Sequence, residues 1–322
     1  MTGIFYTQAW LIIVLLGAMV FVNGWTDAPN AVATAVASGA TTMRRAVRLA
    51  AVCNFLGLII MLWLPAAVAD SVISSIPKGE NTLNLICSAM IAVVAFASAA
   101  SVFGIPTSES HALLAALSGA AVAKMGAAGW SGRLWWSVLA GILFTCAGGA
   151  LQGFLYRKML SQSALCDNKK VLRRLEIAAA ALLSLIHGAQ DGQKFSAVMT
   201  LTLSLLGKPI GGGRAVLFCA TILAAGTALG GKRIIKKVGN GITVVDEGSG
   251  VCCDAAAFIS ILICTVLGMP VSTTHTKTSA VLGVGIANKS FNLKTYYEIF
   301  SLWILTFPIC FAVGYFITRF CG

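Results

Sequence analysis

The stretch Asn23-Gly24-Trp25-Thr26-Asp27-Ala28-Pro29-Asn30-Ala31-Val32-Ala33-Thr34 puts a carboxylate, two amide side chains and a proline inside a run, Ala9 to Ala40, otherwise apolar enough to cross a bilayer. A charged side chain at that depth costs about 3 kcal/mol, so it marks a functional position rather than a packing one. A second such site, His187-Gly188-Ala189-Gln190-Asp191-Gly192-Gln193-Lys194, lies 164 positions further on, counted from Asp27 to Asp191. The chain reads as one design used twice.

Composition agrees with a membrane protein. Of 322 residues, 58% are hydrophobic and only 11% charged, where a soluble domain carries about 25%. The length accommodates about ten crossing or half-crossing segments of about 20 residues each, and no sizeable soluble domain. The formal charge of +12 would suggest nucleic acid in a soluble protein. Here the bases gather in loops between apolar spans, as membrane orientation requires, so no nucleic-acid partner is expected and the lipid bilayer is. Ten cysteines are scattered without zinc or redox spacing, and the N-terminus lacks the pattern of a cleavable signal.

The offset of 164 also relates Gly104 to Gly268, Pro106 to Pro270, Ser108 to Ser272 and His111 to His275. A constant offset across motifs about 80 residues apart identifies an internal duplication. The halves are 1–156 and 175–322, joined by a basic loop, 157–174, in one integral membrane domain. With the clusters at 44–48, 157–174 and 232–237 in the cytoplasm, span 49–69 leaves and span 134–156 returns. The piece 85–123 then enters and exits on one side, as a re-entrant hairpin or as two crossings. Each half makes an odd number of crossings, and the second is inverted relative to the first, which places both termini outside the cytoplasm. The expected fold is an all-α polytopic membrane protein of two inverted repeats, whose broken helices or hairpins meet at mid-membrane.

Two chemistries follow from the motifs. In Gly-x-Pro-x-Ser-x-x-His, proline is expected to preset the first turn of a helix whose Ser and Thr hydroxyls sit beside unpaired N–H groups. Two such ends facing each other would cradle a small tetrahedral oxyanion through Thr107, Ser108, Ser272, Thr273 and Thr274. The alternative is a proline kink with its hydroxyls bonded back to the helix. Asp27 and Asp191, with Asn30 and Gln190, could coordinate a cation together with unwound backbone carbonyls, or carry protons, or accept hydrogen bonds from a protonated phosphate. Buried aspartates satisfied by neighbouring helix ends are the plainer reading. Asn23, His111, His187, Lys194 and His275 are expected to support these groups, with His111 and His275 hydrogen-bonding to fix the Pro-Ser helix ends. Glu109, at an anion-binding helix start, would repel phosphate if ionised, so it is expected to be protonated when substrate binds; the alternative is a carboxylate in a watery vestibule. No cofactor is expected, and three histidines without ligand spacing predict no tightly bound metal.

Residues 23–34, 187–194 and Gly268-Met269-Pro270-Val271-Ser272-Thr273-Thr274-His275 resemble the signatures of the inorganic phosphate transporter (Pit) family, over nearly the whole chain. The resemblance implies secondary uptake of inorganic phosphate by alternating access in symport with Na+ or H+, through inverted repeats in the cell membrane, as a homodimer. Thr26, Pro29, Gln190 and Glu109 depart from the family's usual residues, and Asn54 stands where many sodium-coupled members have glutamate. These departures bear on the coupling ion more than on the fold. The family includes sulfate permeases, so sulfate is the rival substrate. An intramembrane aspartyl protease using Asp27 and Asp191 is a remoter alternative, which lacks the Gly-x-Gly-Asp context and leaves the paired Pro-Ser motifs unexplained. A channel would not need short broken segments in corresponding places of two halves. The chain is not expected to be an enzyme.

Overall fold

In the computed structural model, residues 2–63, 65–74 and 76–321 are described, with the side chains of 2–9, Asn240 and Cys321 left aside. The described residues are helical, with no strand among them. They form α1 (Thr2–Thr26), a 3-10 turn (Ala28–Val32), α2 (Ala33–Ala37), α3 (Met43–Ile60), α4 (Ala67–Ser74), α5 (Thr82–Val102), α6 (Glu109–Met125) and α7 (Gly132–Ser161). The second half gives α8 (Lys169–Leu205), α9 (Gly212–Leu229), α10 (Lys232–Gly241), α11 (Glu247–Val266), α12 (Thr273–Ala287) and α13 (Leu293–Cys321). Eight described stretches are long and apolar enough to cross a membrane: Trp10–Ala37, α3 with its extension, α5, α6, α7, α9, α11 and α13. The 37-residue α8 is also long enough, at about 55 Å. The protein is a multi-pass membrane protein, with Trp136, Leu143, Phe316 and Phe320 among the large apolar side chains turned outward.

Several boundaries differ from the sequence reading. The span expected over 49–69 is α3, which ends at Ile60, followed by the separate short helix α4; Pro65 lies between them. Of the basic stretch 157–174, only 162–168 lies outside α7 and α8, so most of its bases ride on helix ends. No one offset relates the elements of the two halves. The offset is 164 for the motifs, 169 for α3 against α9 and 161 for α7 against α13, because connecting segments differ in length.

Four helix crossings hold the bundle, and glycine makes each one close. A Cβ at Gly24 on α1 would collide with the carbonyl oxygen of Leu223 on α9, and one at Gly226 on α9 with that of Phe21 on α1. The equivalent crossing of α8 and α3 repeats the pattern, with Gly188 against Asn54 and Gly57 against Leu185. Gly119 meets Phe311 and Gly314 meets Ala116 where α6 crosses α13; Gly283 meets Ala150 and Gly153 meets Ala280 where α12 crosses α7. Without a side chain the backbones approach to van der Waals contact, which is how helices associate in a solvent as apolar as they are. Every one of these crossings joins one half of the chain to the other, and each has its counterpart with the halves exchanged.

The short helices cross over too. Ser71 on α4 donates to the carbonyl of Gly268, just past α11, at 2.8 Å. Arg233 on α10 donates to the carbonyl of Val102, at the end of α5, at 2.5 Å. Each short helix thus secures the break in the opposite half.

Candidate functional site

The site grows from two helix starts. Gly104 and Gly268 adopt φ of 65° and 69°, the left-handed conformation that closes α5 and α11. The amides of Ile105 and Met269 bond back to Ala100 and Cys264 at 3.1 and 2.9 Å. After an extended stretch, the Ser108 hydroxyl accepts from the His111 amide at 3.3 Å and Ser272 from the His275 amide at 3.3 Å, capping α6 and α12. Pro106 and Pro270 therefore precede the caps by two residues instead of occupying the first helical turn as expected. Their fixed φ holds the extended approach. The Ser108 and Ser272 hydroxyls are engaged by their own helices.

The two starts meet. The rings of His111 and His275 lie 4.8 Å apart, with His275 stacked on Trp303 at 4.0 Å and His111 beside Phe307 at 5.2 Å. None of their four ring nitrogens has a hydrogen-bond partner. The expectation that the imidazoles hydrogen-bond to fix the helix ends is thus corrected: the histidine amides bind the caps, and the rings pack against one another and against aromatic side chains of α13.

Asp27 sits where α1 breaks into the 3-10 turn, at 1% exposure. Its equivalent, Asp191, is equally buried but lies within an uninterrupted α8. Unwound carbonyls beside Asp191 were expected and are absent. The cause is legible at one position: Pro29 removes a helical N–H in the first half, whereas Gln193 occupies the equivalent place in the second. Gln193 instead points its Oε1 at the amides of Val68 and Ala69 in the first turn of α4, at 3.1 and 3.3 Å.

Around these aspartates most of the sequence-derived residues come together. Thr274 donates a short hydrogen bond to Asp27, and Asn30 donates to Thr274 at 2.7 Å and to Asp27 at 3.2 Å. Asn23 donates to Asp191 at 3.0 Å. Lys194 is 1% exposed and donates to Asp191 at 2.8 Å, Ser110 at 2.7 Å and the Val271 carbonyl at 2.9 Å. His187 Nδ1 contacts the Thr273 hydroxyl at 2.9 Å. One ligand atom each from Asp27, His187 and Asp191 lies within 4.8 Å of the others, a cation-sized grouping that histidine spacing alone did not suggest. Gln190 turns partly aside, donating to the Met269 carbonyl at 3.3 Å. Asn54 is fully buried at the α3–α8 crossing with both amide atoms unpartnered.

Glu109, the first residue of α6, is buried against Thr26 at 2.5 Å and Thr107 at 3.4 Å. The watery-vestibule alternative does not fit 1% exposure. Thr26 also lies 2.7 Å from the Val22 carbonyl. A hydroxyl has one proton for these two acceptors. If the carbonyl takes it, Glu109 must be protonated and donate to Thr26. Unpartnered oxygens of Asn23, Asp27, Asn30, Glu109 and Gln190 remain in this region.

Sequence reading missed Ser110, which bridges Asp191 and Lys194. It also missed a second charged cluster. Lys277 pairs with Asp254, both 0% exposed, and Thr34 bonds both, at 2.8 Å each. Glu176, also 0% exposed, accepts from Ser38 at 2.8 Å. The signal was available, because Asp254 interrupts an apolar run just as Asp27 does.

Comparison with known proteins bears on the family and the fold. The model of the phosphate transporter family matches twice, over residues 23–170 and 158–314. A Bacillus subtilis protein named "Probable low-affinity inorganic phosphate transporter" is 32% identical over 314 residues, covering 94% of each chain. A Mycobacterium tuberculosis protein of the same name is 32% identical, over 95% of this chain and 76% of its own. A solved structure titled "The sodium-dependent phosphate transporter" superposes with a TM-score of 0.82 at 20% identity, covering 95% of this chain and 96% of that one, and so shares the fold. With the family matched across both halves and these relatives at 32% identity over most of the chain, the protein belongs to the phosphate transporter family.

Proposed function

We propose that the chain is a secondary transporter carrying inorganic phosphate together with a cation, by alternating access between two inverted repeats, with both termini outside the cytoplasm. The observation that carries this reading is the meeting of two capped helix starts beside Asp27 and Asp191 in a fully buried centre. The exchanged glycine crossings support two equivalent halves related by a two-fold operation.

Charge explains why anion and cation would travel together. Asp27, Asp191 and Glu109 are buried in this centre, and the Lys194 ammonium pairs with Asp191. Two carboxylates about 5 Å apart repel by about 3 kcal/mol at an effective dielectric of about 20. A phosphate anion added to that field is opposed until cations or protons neutralise it. Once they are bound, the amides of α6 and α12 and the hydroxyls of Thr273 and Thr274 can hold the anion, Thr107 lining the approach. Coupling is then a property of the charge inventory. The unpartnered oxygens of Asp27 and Glu109 favour phosphate over sulfate, since protonated phosphate can donate to them and sulfate cannot.

The test is uptake of labelled phosphate into liposomes holding the purified protein, under an imposed sodium or proton gradient, with sulfate as competitor. Gradient-driven uptake that ignores sulfate is expected. Failure of uptake under both gradients, or its abolition by sulfate, would move the function to another anion.

A further inference from the structure

Thr34, Glu176, Asp254 and Lys277, all buried, and the half-buried Ser38 form a ladder leading away from the central site, one helical turn per rung. The top rung is Asp27, Asn30 and Thr274. Thr34 follows Asn30 by four residues and Lys277 follows Thr274 by three, so the second rung, Thr34–Lys277–Asp254, lies about one turn, ~5 Å, further along. Ser38 follows Thr34 by four and receives Glu176 as the third rung. Glu176 packs against Gly250, one turn before Asp254 on α11, where a Cβ would overlap its carboxylate. Beyond it the Arg173 guanidinium binds the Ala40 carbonyl at 2.6 Å, at the end of the bundle that carries Arg44, Arg45 and Arg174.

The cluster does not neutralise itself. Two carboxylates share one ammonium, and one oxygen of each, Oε1 of Glu176 and Oδ2 of Asp254, has no partner although fully buried. The surroundings do not supply the missing positive charge. The arginines of α3 are exposed and its contact face is Ala46 and Ala50. From α11 and its N-cap come Glu247, Cys253 and Asp246, and Arg157 of α7 is already paired with Asp246 at 3.1 Å. A hard metal cation takes about six oxygens. Here only two are unengaged, and Lys277 already sits against Asp254. A proton needs no such cage.

We propose that Glu176, Asp254 and Lys277 constitute a proton-binding site, separate from the central carboxylates, in which one proton neutralises the carboxylate charge that Lys277 leaves over. Loss of that proton leaves a bare carboxylate in the bundle and favours hydration from the basic end; because Lys277 shares α12 with Thr274, the change reaches the helix start that faces the anion. This rests on the transport reading for its consequence, but not for its chemistry.

Two measurements separate the cases. Infrared difference spectra recorded across a pH titration of the purified protein should show the carbonyl stretch of a buried protonated carboxylic acid, lost or reduced in both Glu176→Gln and Asp254→Asn. In liposomes, the dependence of phosphate uptake on the pH at the basic end should move by about one unit or more in Glu176→Gln. Asp254→Asn serves the same purpose if Glu176→Gln does not fold. An unchanged infrared band in both variants, or an unchanged pH profile in a variant that transports, overturns the proton site. A wild-type protein with the band but without phosphate uptake would overturn the transport reading and leave the proton site standing.

Discussion

Replacing Lys194 by methionine removes a fully buried ammonium together with its bonds to Asp191, Ser110 and the Val271 carbonyl. Asp191 keeps Ser110 and Asn23 as donors but loses its countercharge. Breaking a buried pair from one side destabilises by about 3–5 kcal/mol, since the surviving charge has neither water nor a countercharge. Asp191→Asn strands Lys194 against two neutral acceptors, with a loss of similar size. If the two effects simply added, the double variant would lose about 6–10 kcal/mol. Because neither charge is then buried, we expect the double variant to lose no more than either single one, a coupling energy of about 3 kcal/mol or more. Unfolding of the four proteins in mixed micelles, followed by tryptophan fluorescence, gives the complete cycle. All three variants should lose phosphate uptake, so stability and transport separate in the double variant. An additive cycle, or a Lys194→Met protein as stable as the wild type, would show that Lys194 and Asp191 are not paired in the membrane.

Other outcomes follow from single contacts. Gly188→Ala and Gly24→Ala, each forcing a methyl into a backbone carbonyl, should abolish accumulation of folded protein on size-exclusion chromatography, while Gly79→Ala, with open space around it, should not. Ser108→Ala and Ser272→Ala remove helix caps; each should cost about 1 kcal/mol and raise the phosphate concentration for half-maximal uptake. Glu109→Gln should flatten the pH dependence of uptake if Glu109 carries a proton beside Thr26, and an unchanged profile would exclude that role. Asp246 lies outside the membrane spans: partial burial opposes its ionisation, but the hydroxyl and amide of Ser249 and the Arg157 guanidinium outweigh it and hold its carboxyl below the usual range. A lowered folded-state value means that its stabilisation is present above the unfolded-state value, about 3.9, and lost as pH falls further. The stability difference between wild type and Asp246→Asn should therefore be constant near neutrality and shrink below about pH 4.

Much of this molecule is legible in the order of its residues because the bilayer punishes misplaced polarity. Asp27 and Asp191 announce themselves inside apolar runs, and Gly104/Gly268 with Ser108/Ser272 mark breaks and caps whose geometry is local. What escaped depends on contacts between distant segments. Nothing near Lys277 in sequence names Asp254 or Thr34 as its partners; only the packing of α2, α11 and α12 does. The contact of the His111 ring with that of His275 likewise exists only because α6 and α12 meet. The course of α8 through Asp191 was a missed reading of a visible difference, Gln193 in place of Pro29.

The glycine crossings constrain the order of events during synthesis. Gly24, Gly57, Gly119 and Gly153 emerge from the ribosome first, yet the backbones that fill their notches, at Leu223, Leu185, Phe311 and Ala280, are all made later. The first half therefore enters the membrane with four small-residue grooves open to lipid or to insertion machinery, and α6 waits for α13. Native packing of these early helices is postponed until segments of the second half have been made. A protein assembled this way is vulnerable to the loss of α13, without which the Gly119 notch on α6 stays open.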